Sequence, residues 1–246
     1  MYYKIVIITA KYKNYNYIRL TKNKIMLKAV LFDMDGVIVD TEPLHHKAYY
    51  MMFDAFNIEV STELYESFTG QSTINICRRL CEHFNLSNDP EELVQSKRSA
   101  FTNLFHNDPS LQLIDGVLDL IKDYYNNGVT LVLASSASMF TINNVFTRFN
   151  LDQYFIAKLS GADLKASKPH PEIFEKAAKV SGHKREECIV IEDSTNGIKA
   201  AKAAGIFCVG FDSVNSKNQD YSLADIVIND FKSIGYDTIK TFLVLK

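Results

Sequence analysis

The 246-residue sequence predicts an α/β protein, a parallel sheet with helices on both faces, interrupted by an inserted helical segment. Three observations lead there. Short apolar runs rich in branched residues recur along the chain, and each closes in polar residues before a helical pattern begins. These runs are continuous rather than alternating, as strands buried on both faces of a sheet must be. Between Pro43 and about Leu113 the rhythm stops, and helical periodicity appears with no convincing strand.

Taken in chain order, the first run is 28–32, which ends in two aspartates. Gly36 then lets the chain turn sharply, and Asp40 or Thr41 can cap a helix with Pro43 in its first turn. Helices are expected over 48–56, 74–84 and 90–105, separated by polar joints such as 85–89. After Asp115 and Gly116 the strand rhythm resumes with runs at 129–134, 188–191, 206–209 and 226–228, and with a weaker one at 154–157. The expected organisation is a core of 26–42 with 114–246, a helical cap of 43–113, and a basic extension of 1–25.

A chain of this length buries a sizeable core without disulfides or metal, and 47% hydrophobic with 23% charged residues suits a soluble globular protein. The net charge of −2 hides an asymmetry, because residues 1–25 hold six basic residues and no acidic one. The rest carries 21 basic against 29 acidic residues, a net of −8. The basic stretch has five interleaved tyrosines but no helical face and no repeat, so nucleic-acid binding is not expected. No apolar run approaches the roughly 20 residues that span a bilayer, and the apolar stretch 5–10 is too short for a secretory core. No membrane partner and a cytoplasmic location are therefore expected. Cys77, Cys81, Cys188 and Cys208 are too few and too scattered for a disulfide framework, and read as packed thiols. Nothing resembling a heptad or apolar stripe argues for assembly, so a monomer is expected.

Chemistry-bearing residues cluster where the strands end. Asp33 and Asp35 close the first run in DMDGVIVDT; strand alternation would aim both carboxylates the same way, toward the sheet end where open α/β sheets bind ligands. Alone, an Asp-x-Asp pair is weak and is usually a solvated surface or a cap. Ser135 follows the second run, and its hydroxyl with the backbone amides after it can hold phosphate oxygens. Lys168, in SKPHPEIF before a helix begun by Pro171, can neutralise a carboxylate and a phosphoryl group. Glu192 and Asp193 end the run CIVI, where two carboxylates suit a hard cation. Each has a bland reading as a cap or a solvated charge; all four in one order do not.

Together these residues resemble the haloacid dehalogenase superfamily, and within it the β-phosphoglucomutase-like branch with a helical cap and a Rossmann-like core. The resemblance runs from about Met26 to about Ile234, with DMDGVIVDT, Ser135, Lys168 with Pro169 and Pro171, and Glu192 with Asp193 in the family's order. It implies that Asp33 attacks phosphorus and becomes an aspartyl phosphate, and that Asp35 serves as general acid and base. It also implies Mg²⁺ held by the Asp33 carboxylate, the Asp35 backbone carbonyl and the Asp193 carboxylate, with Glu192 acting directly or through water. Ser135 and the amide of Ser136 would hold the phosphate of a small phosphorylated metabolite, most simply a sugar phosphate. His45 matches a histidine that the mutase branch places near substrate, with a solvated histidine as its bland reading. Gly70, in TGQST, resembles the cap loop of that branch.

Two departures separate the chain from a mutase. Thr73 stands where the mutase branch has a phosphate-holding arginine, and Met139 where it has a sugar-contacting asparagine. Hydrolysis of a phosphomonoester is thus the expected reaction, with a sugar-phosphate mutase as the alternative and Arg78, Arg79, Lys97 or Arg98 as substitute cations for it. A catalytically retired binding module is a second alternative, against which the complete set of Asp33, Asp35, Lys168 and Asp193 argues.

Overall fold

The computed structural model describes residues 26–68, 73–213, 216 and 218–244. The basic extension 1–25 and Gly70 lie outside the described residues. The chain divides into two compact units, Met1–Met34 with Asp115–Lys246, and Asp35–Ile114.

The first unit is built on β1 (Ala29–Phe32), β2 (Thr130–Ser135), β3 (Phe155–Ser160), β4 (Cys188–Glu192), β5 (Phe207–Phe211) and β6 (Ile226–Ile228). All neighbours pair in parallel, in the order β3-β2-β1-β4-β5-β6. The runs read from sequence therefore form one sheet, and β3 extends to Ser160, beyond the expected 154–157. An edge strand shows why it read weakly: Phe155 is buried, Ile156 is exposed, and the remainder is half-buried until Ser160. β1 lies between β2 and β4, where the winding direction reverses, and Phe32 is in register with Leu133 and Ile191. The residues that follow, Asp33, Ala134 and Glu192, consequently emerge side by side.

Strand alternation assigns the two faces. Ala29, Leu31, Val132, Ala134, Val190 and Cys208 pack against Phe174 and Ala177 of α7 (Glu172–Ser181) and Ala200 and Ala201 of α8 (Thr195–Ala203). On the other face Phe32 meets Tyr124 of α5 (Val117–Asn126) and Phe155 edge to face, at centroid distances of 6.5 and 5.7 Å. Phe146 of α6 (Met139–Phe149) extends this aromatic group, and Tyr124 donates its hydroxyl to the Ile234 carbonyl just before α9 (Tyr236–Val244). Burying each of these large side chains contributes about 1.5–3 kcal/mol.

The second unit holds α1 (Glu42–Ala55), α2 (Thr62–Glu66), α3 (Thr73–Phe84) and α4 (Pro90–Asn107). Met52, Phe53, Leu80 and Leu93 form its core with Cys77 and Cys81. Asp89 caps α4 by accepting from the Glu91 amide, with Pro90 in the first turn where no amide is missed. Residues 35–39 belong to this unit through local pairing: the Gly36 amide donates to the Val39 carbonyl, Val39 bridges Leu113, and the Ile114 amide donates to Ile38. At the start of α1, Asp40 accepts from the Glu42 amide, so it rather than Thr41 performs the capping. Among the described residues no helix is long and apolar enough to cross a membrane. Cys77, Cys81, Cys188 and Cys208 are all buried free thiols.

Candidate active site

β1 stops at Phe32, and Asp33 is the first residue beyond it, its amide still bonded to the Ile191 carbonyl at 3.0 Å. Across the sheet end stands Lys168, in the loop before α7. Its Nζ donates to Asp33 Oδ1 at 2.5 Å, to Glu192 Oε1 at 2.7 Å and to the Ala134 carbonyl at 3.1 Å. An ammonium has three protons, and each has an acceptor here. The lysine side chain is 6% exposed and Glu192 1%, so these charges meet in a medium that screens them little.

Glu192 is itself held from behind. Its Oε2 accepts from the Ser194 amide at 2.7 Å and the Ser194 hydroxyl at 2.9 Å, and the same hydroxyl caps α8 by accepting from the Gly197 amide at 3.0 Å. This explains Gly197, one turn into the helix: a Cβ there would fall 1.6 Å from Glu192 Oε1. Alanine at an ordinary helical position stabilises by about 1 kcal/mol relative to glycine. Gly197→Ala is instead expected to destabilise by about 1–3 kcal/mol through overpacking. Urea denaturation measures the difference, and an unchanged or raised midpoint would mean that Glu192 swings aside without cost.

Asp193 completes an acidic group in which one ligand atom each from Asp33, Glu192 and Asp193 lies within 4.8 Å of the others. The Ser216 hydroxyl donates to Asp193 Oδ2. Burial, followed by the Glu192 charge, pushes the Asp193 carboxyl up to about 7. Burial raises Asp33 well above the usual carboxylate range; Lys168 opposes this, whereas Glu192 and Asp193 add to it. Burial alone would lower Lys168, yet the Asp33 and Glu192 charges outweigh it and hold the ammonium protonated. Three carboxylates thus lie around one ammonium, which is bonded to two of them. Full ionisation requires further positive charge, and an all-oxygen donor set suits a hard divalent cation.

The structure brings Asp33, Lys168, Glu192 and Asp193 together. Ser135, the last residue of β2, is buried and accepts from the Ala137 amide at 3.0 Å, while Ser136 is exposed. Gly161 fits beneath them, since a Cβ there would approach Ser136 Cα at 3.1 Å. The alternation argument fails for Asp35, because the strand ends before it and Gly36 turns the chain with a φ of 82°. Its carboxylate instead accepts from the Thr41 hydroxyl at 2.6 Å.

In the helical unit, His45 is not a solvated histidine. Its Nδ1 lies 2.7 Å from Lys97 Nζ, and its ring stacks on Phe101 at 4.2 Å. Burial, then the Lys97 charge, lowers His45 to about 4, and burial lowers Lys97 to about 8. A neutral imidazole therefore accepts from the ammonium. Of the four substitute cations named from sequence, Lys97 alone is buried; Arg78, Arg79 and Arg98 are exposed, bonded to Asn75, near the Ser67 carbonyl and near Glu91 respectively. Thr73 stands 3.5 Å from the Tyr49 hydroxyl. Sequence reasoning missed the Ser194, Gly197 and Ser216 contacts, and for Ser216 no local signal exists, since it reaches Asp193 across 23 residues.

A parallel sheet with carboxylates and a saturated lysine at the carboxyl ends of adjacent strands is the layout of an α/β enzyme with its chemistry at the switch point. The sequence profile of the haloacid dehalogenase-like hydrolases matches residues 30–211, and the chain belongs to that family. A phosphorylated carbohydrates phosphatase of Thermotoga maritima is 29% identical over 73% of this chain and 82% of its own length. Among solved structures, CbbY from Rhodobacter sphaeroides in complex with phosphate is 26% identical, covers 85% of this chain and 97% of its own, and superposes with a TM-score of 0.72. β-Phosphoglucomutase from Clostridium difficile is 28% identical over 89% and 97%, with a TM-score of 0.68.

Proposed function

We propose that the chain is a Mg²⁺-dependent phosphomonoesterase acting on a small phosphorylated carbohydrate through an aspartyl phosphate, an acyl phosphate, on Asp33. The observation that carries this is the ammonium of Lys168 bonded at once to Asp33 and Glu192, with Asp193 beside them. The phosphatase name of the Thermotoga maritima relative supports the substrate class.

Asp33, Glu192 and Asp193 fit a divalent cation by donor type and mutual distance, and Asp33 and Asp193 are the direct ligands we assign. Glu192 already accepts from Lys168 and Ser194, so it serves chiefly by fixing both. Bound Mg²⁺ supplies charge that offsets the repulsion between carboxylate and phosphate dianion.

Asp33 Oδ1 accepts from Lys168, which leaves Oδ2 to attack phosphorus. The new Oδ2–P bond forms as the ester P–O bond breaks, and the departing alkoxide takes a proton from Asp35. Asp35 then removes a proton from water as that water attacks the phosphoaspartate. The Oδ2–P bond breaks, releasing inorganic phosphate and restoring the Asp33 carboxylate. Lys168 stays bonded throughout, stabilising charge as it moves between carboxylate and phosphoryl oxygens. The amides after Ser135 hold the phosphate in line, and Ser135 shapes that turn through its bond to Ala137.

The mutase alternative draws support from the Clostridium difficile neighbour. Against it, Thr73 and Met139 offer no charge for a second phosphate, and the Lys97 ammonium is already engaged by His45. Aryl phosphate hydrolysis is expected to vanish in chelator and to return with added Mg²⁺. A phosphate-release screen over sugar phosphates, nucleotides and pyrophosphate, beside a β-glucose 1-phosphate isomerisation assay with bisphosphate activator, tests the substrate class. Full activity in chelator would refute the metal, and isomerisation without phosphate release would replace hydrolysis by mutase chemistry.

A further inference from the structure

We propose that Ser216, backed by Tyr221, positions Asp193 for the cation, an inference that rests on the reading of the acidic group as a metal site. The three carboxylates are held differently. Asp33 and Glu192 share Lys168, and Glu192 is fixed again by Ser194. Asp193 takes its hydroxyl partner from the connection between β5 and β6, where Ser216 donates to Oδ2 and leaves Oδ1 to turn to the metal.

Two sets of contacts hold the described residues 218–224 of that connection in place. Tyr221 anchors it on one side, its hydroxyl donating to the Phe211 carbonyl at 3.2 Å. The ring has its seat because residue 210 is glycine: a Cβ there would lie 3.0 Å from Tyr221 Cδ1 and 3.1 Å from Ala224 Cβ. Separately, the first turn of α8 is latched to the same connection. The Thr195 amide donates to Gln219 Oε1 at 2.8 Å, and the Asp220 amide donates to the Thr195 hydroxyl at 2.7 Å. Position 216 is thereby kept beside residues 193–195.

A carboxylate with one oxygen already bonded has lost the rotation that it would otherwise lose on binding a cation, so the hydroxyl raises metal affinity by preorganisation. Ser216 is thus a positioning residue that touches neither substrate nor phosphate. In calorimetric titrations of the metal-free full chain, Ser216→Ala is expected to weaken Mg²⁺ and Mn²⁺ binding by about 10-fold or more. Ser216→Thr, which keeps the hydroxyl, is expected to restore wild-type affinity. Tyr221→Phe is expected to weaken binding in the same direction by a smaller factor. At saturating Mg²⁺ the KM for an aryl phosphate should stay at the wild-type value in Ser216→Ala, while the Mg²⁺ concentration for half-maximal rate rises. Wild-type metal affinity in both Ser216→Ala and Tyr221→Phe would overturn the assignment, as would a threonine variant as weak as the alanine one. Failure of the unmutated chain to bind either metal would instead remove the metal reading itself, so the two failures are told apart.

Discussion

Asp33→Asn is expected to lower phosphomonoester turnover on the order of 10⁴-fold or more while leaving the protein at least as stable as before. The loss of rate follows because an amide has no anionic oxygen to attack phosphorus, although its carbonyl can still accept from Lys168. Burial raises the Asp33 pKa in the fold, with Lys168 opposing and Glu192 and Asp193 reinforcing the shift. A raised folded-state value means that the fold favours the neutral form, so stability falls as pH rises above the unfolded carboxylate range of about 4. A neutral isostere escapes that loss. Aryl phosphate hydrolysis and thermal denaturation of the metal-free chain at about pH 7.5 measure the two effects. Retained turnover would remove Asp33 as nucleophile, and a large fall in the melting point would show that its charge anchors the lysine.

Lys168→Met should have the opposite effect on stability and the same effect on rate. The ammonium has three acceptors, and without it Asp33 and Glu192 face each other with no cation between them. Removing one member of a buried ion pair costs about 3–5 kcal/mol, because the remaining charge is left uncompensated. Lys168 is the main influence lowering the Asp33 pKa, so its loss raises that value further. The variant's deficit should therefore be largest near about pH 8 and shrink toward about pH 4 as Asp33 protonates. Urea denaturation at several pH values reads this directly, and a deficit independent of pH would point to lost packing against Phe174 rather than to charge. Lys168→Arg is not expected to rescue either property, because a planar fork cannot direct three donors as the ammonium does.

The sheet and the acidic site were largely legible, and for one reason. Asp33, Glu192 and Asp193 each follow a continuous apolar run, and parallel strands in register carry such endings to one edge. Lys168 was legible through its company, a serine and two prolines that announce a loop opening a helix. What stayed hidden depends on distance in the chain. His45 and Lys97 are 52 residues apart on α1 and α4, and no periodicity on either helix announces their bond. Thr41 and Asp40 are equally good caps, so only the fold decides that one caps α1 and the other's hydroxyl turns to Asp35. Five-residue α2 has no fully buried face of its own to leave a pattern. Gly197 carries no local signal of its role, since the side chain it accommodates belongs to the preceding strand end.

The four thiols have a practical use. Cys77 and Cys81 lie in the helical unit, Cys188 and Cys208 in adjacent strands of the sheet unit, and burial raises the pKa of each. Thiolates react with alkylating reagents and buried thiols do not, so each pair stays silent until its own unit opens. Pulse alkylation followed by peptide mass spectrometry would time the opening of each unit separately, with no engineered probe.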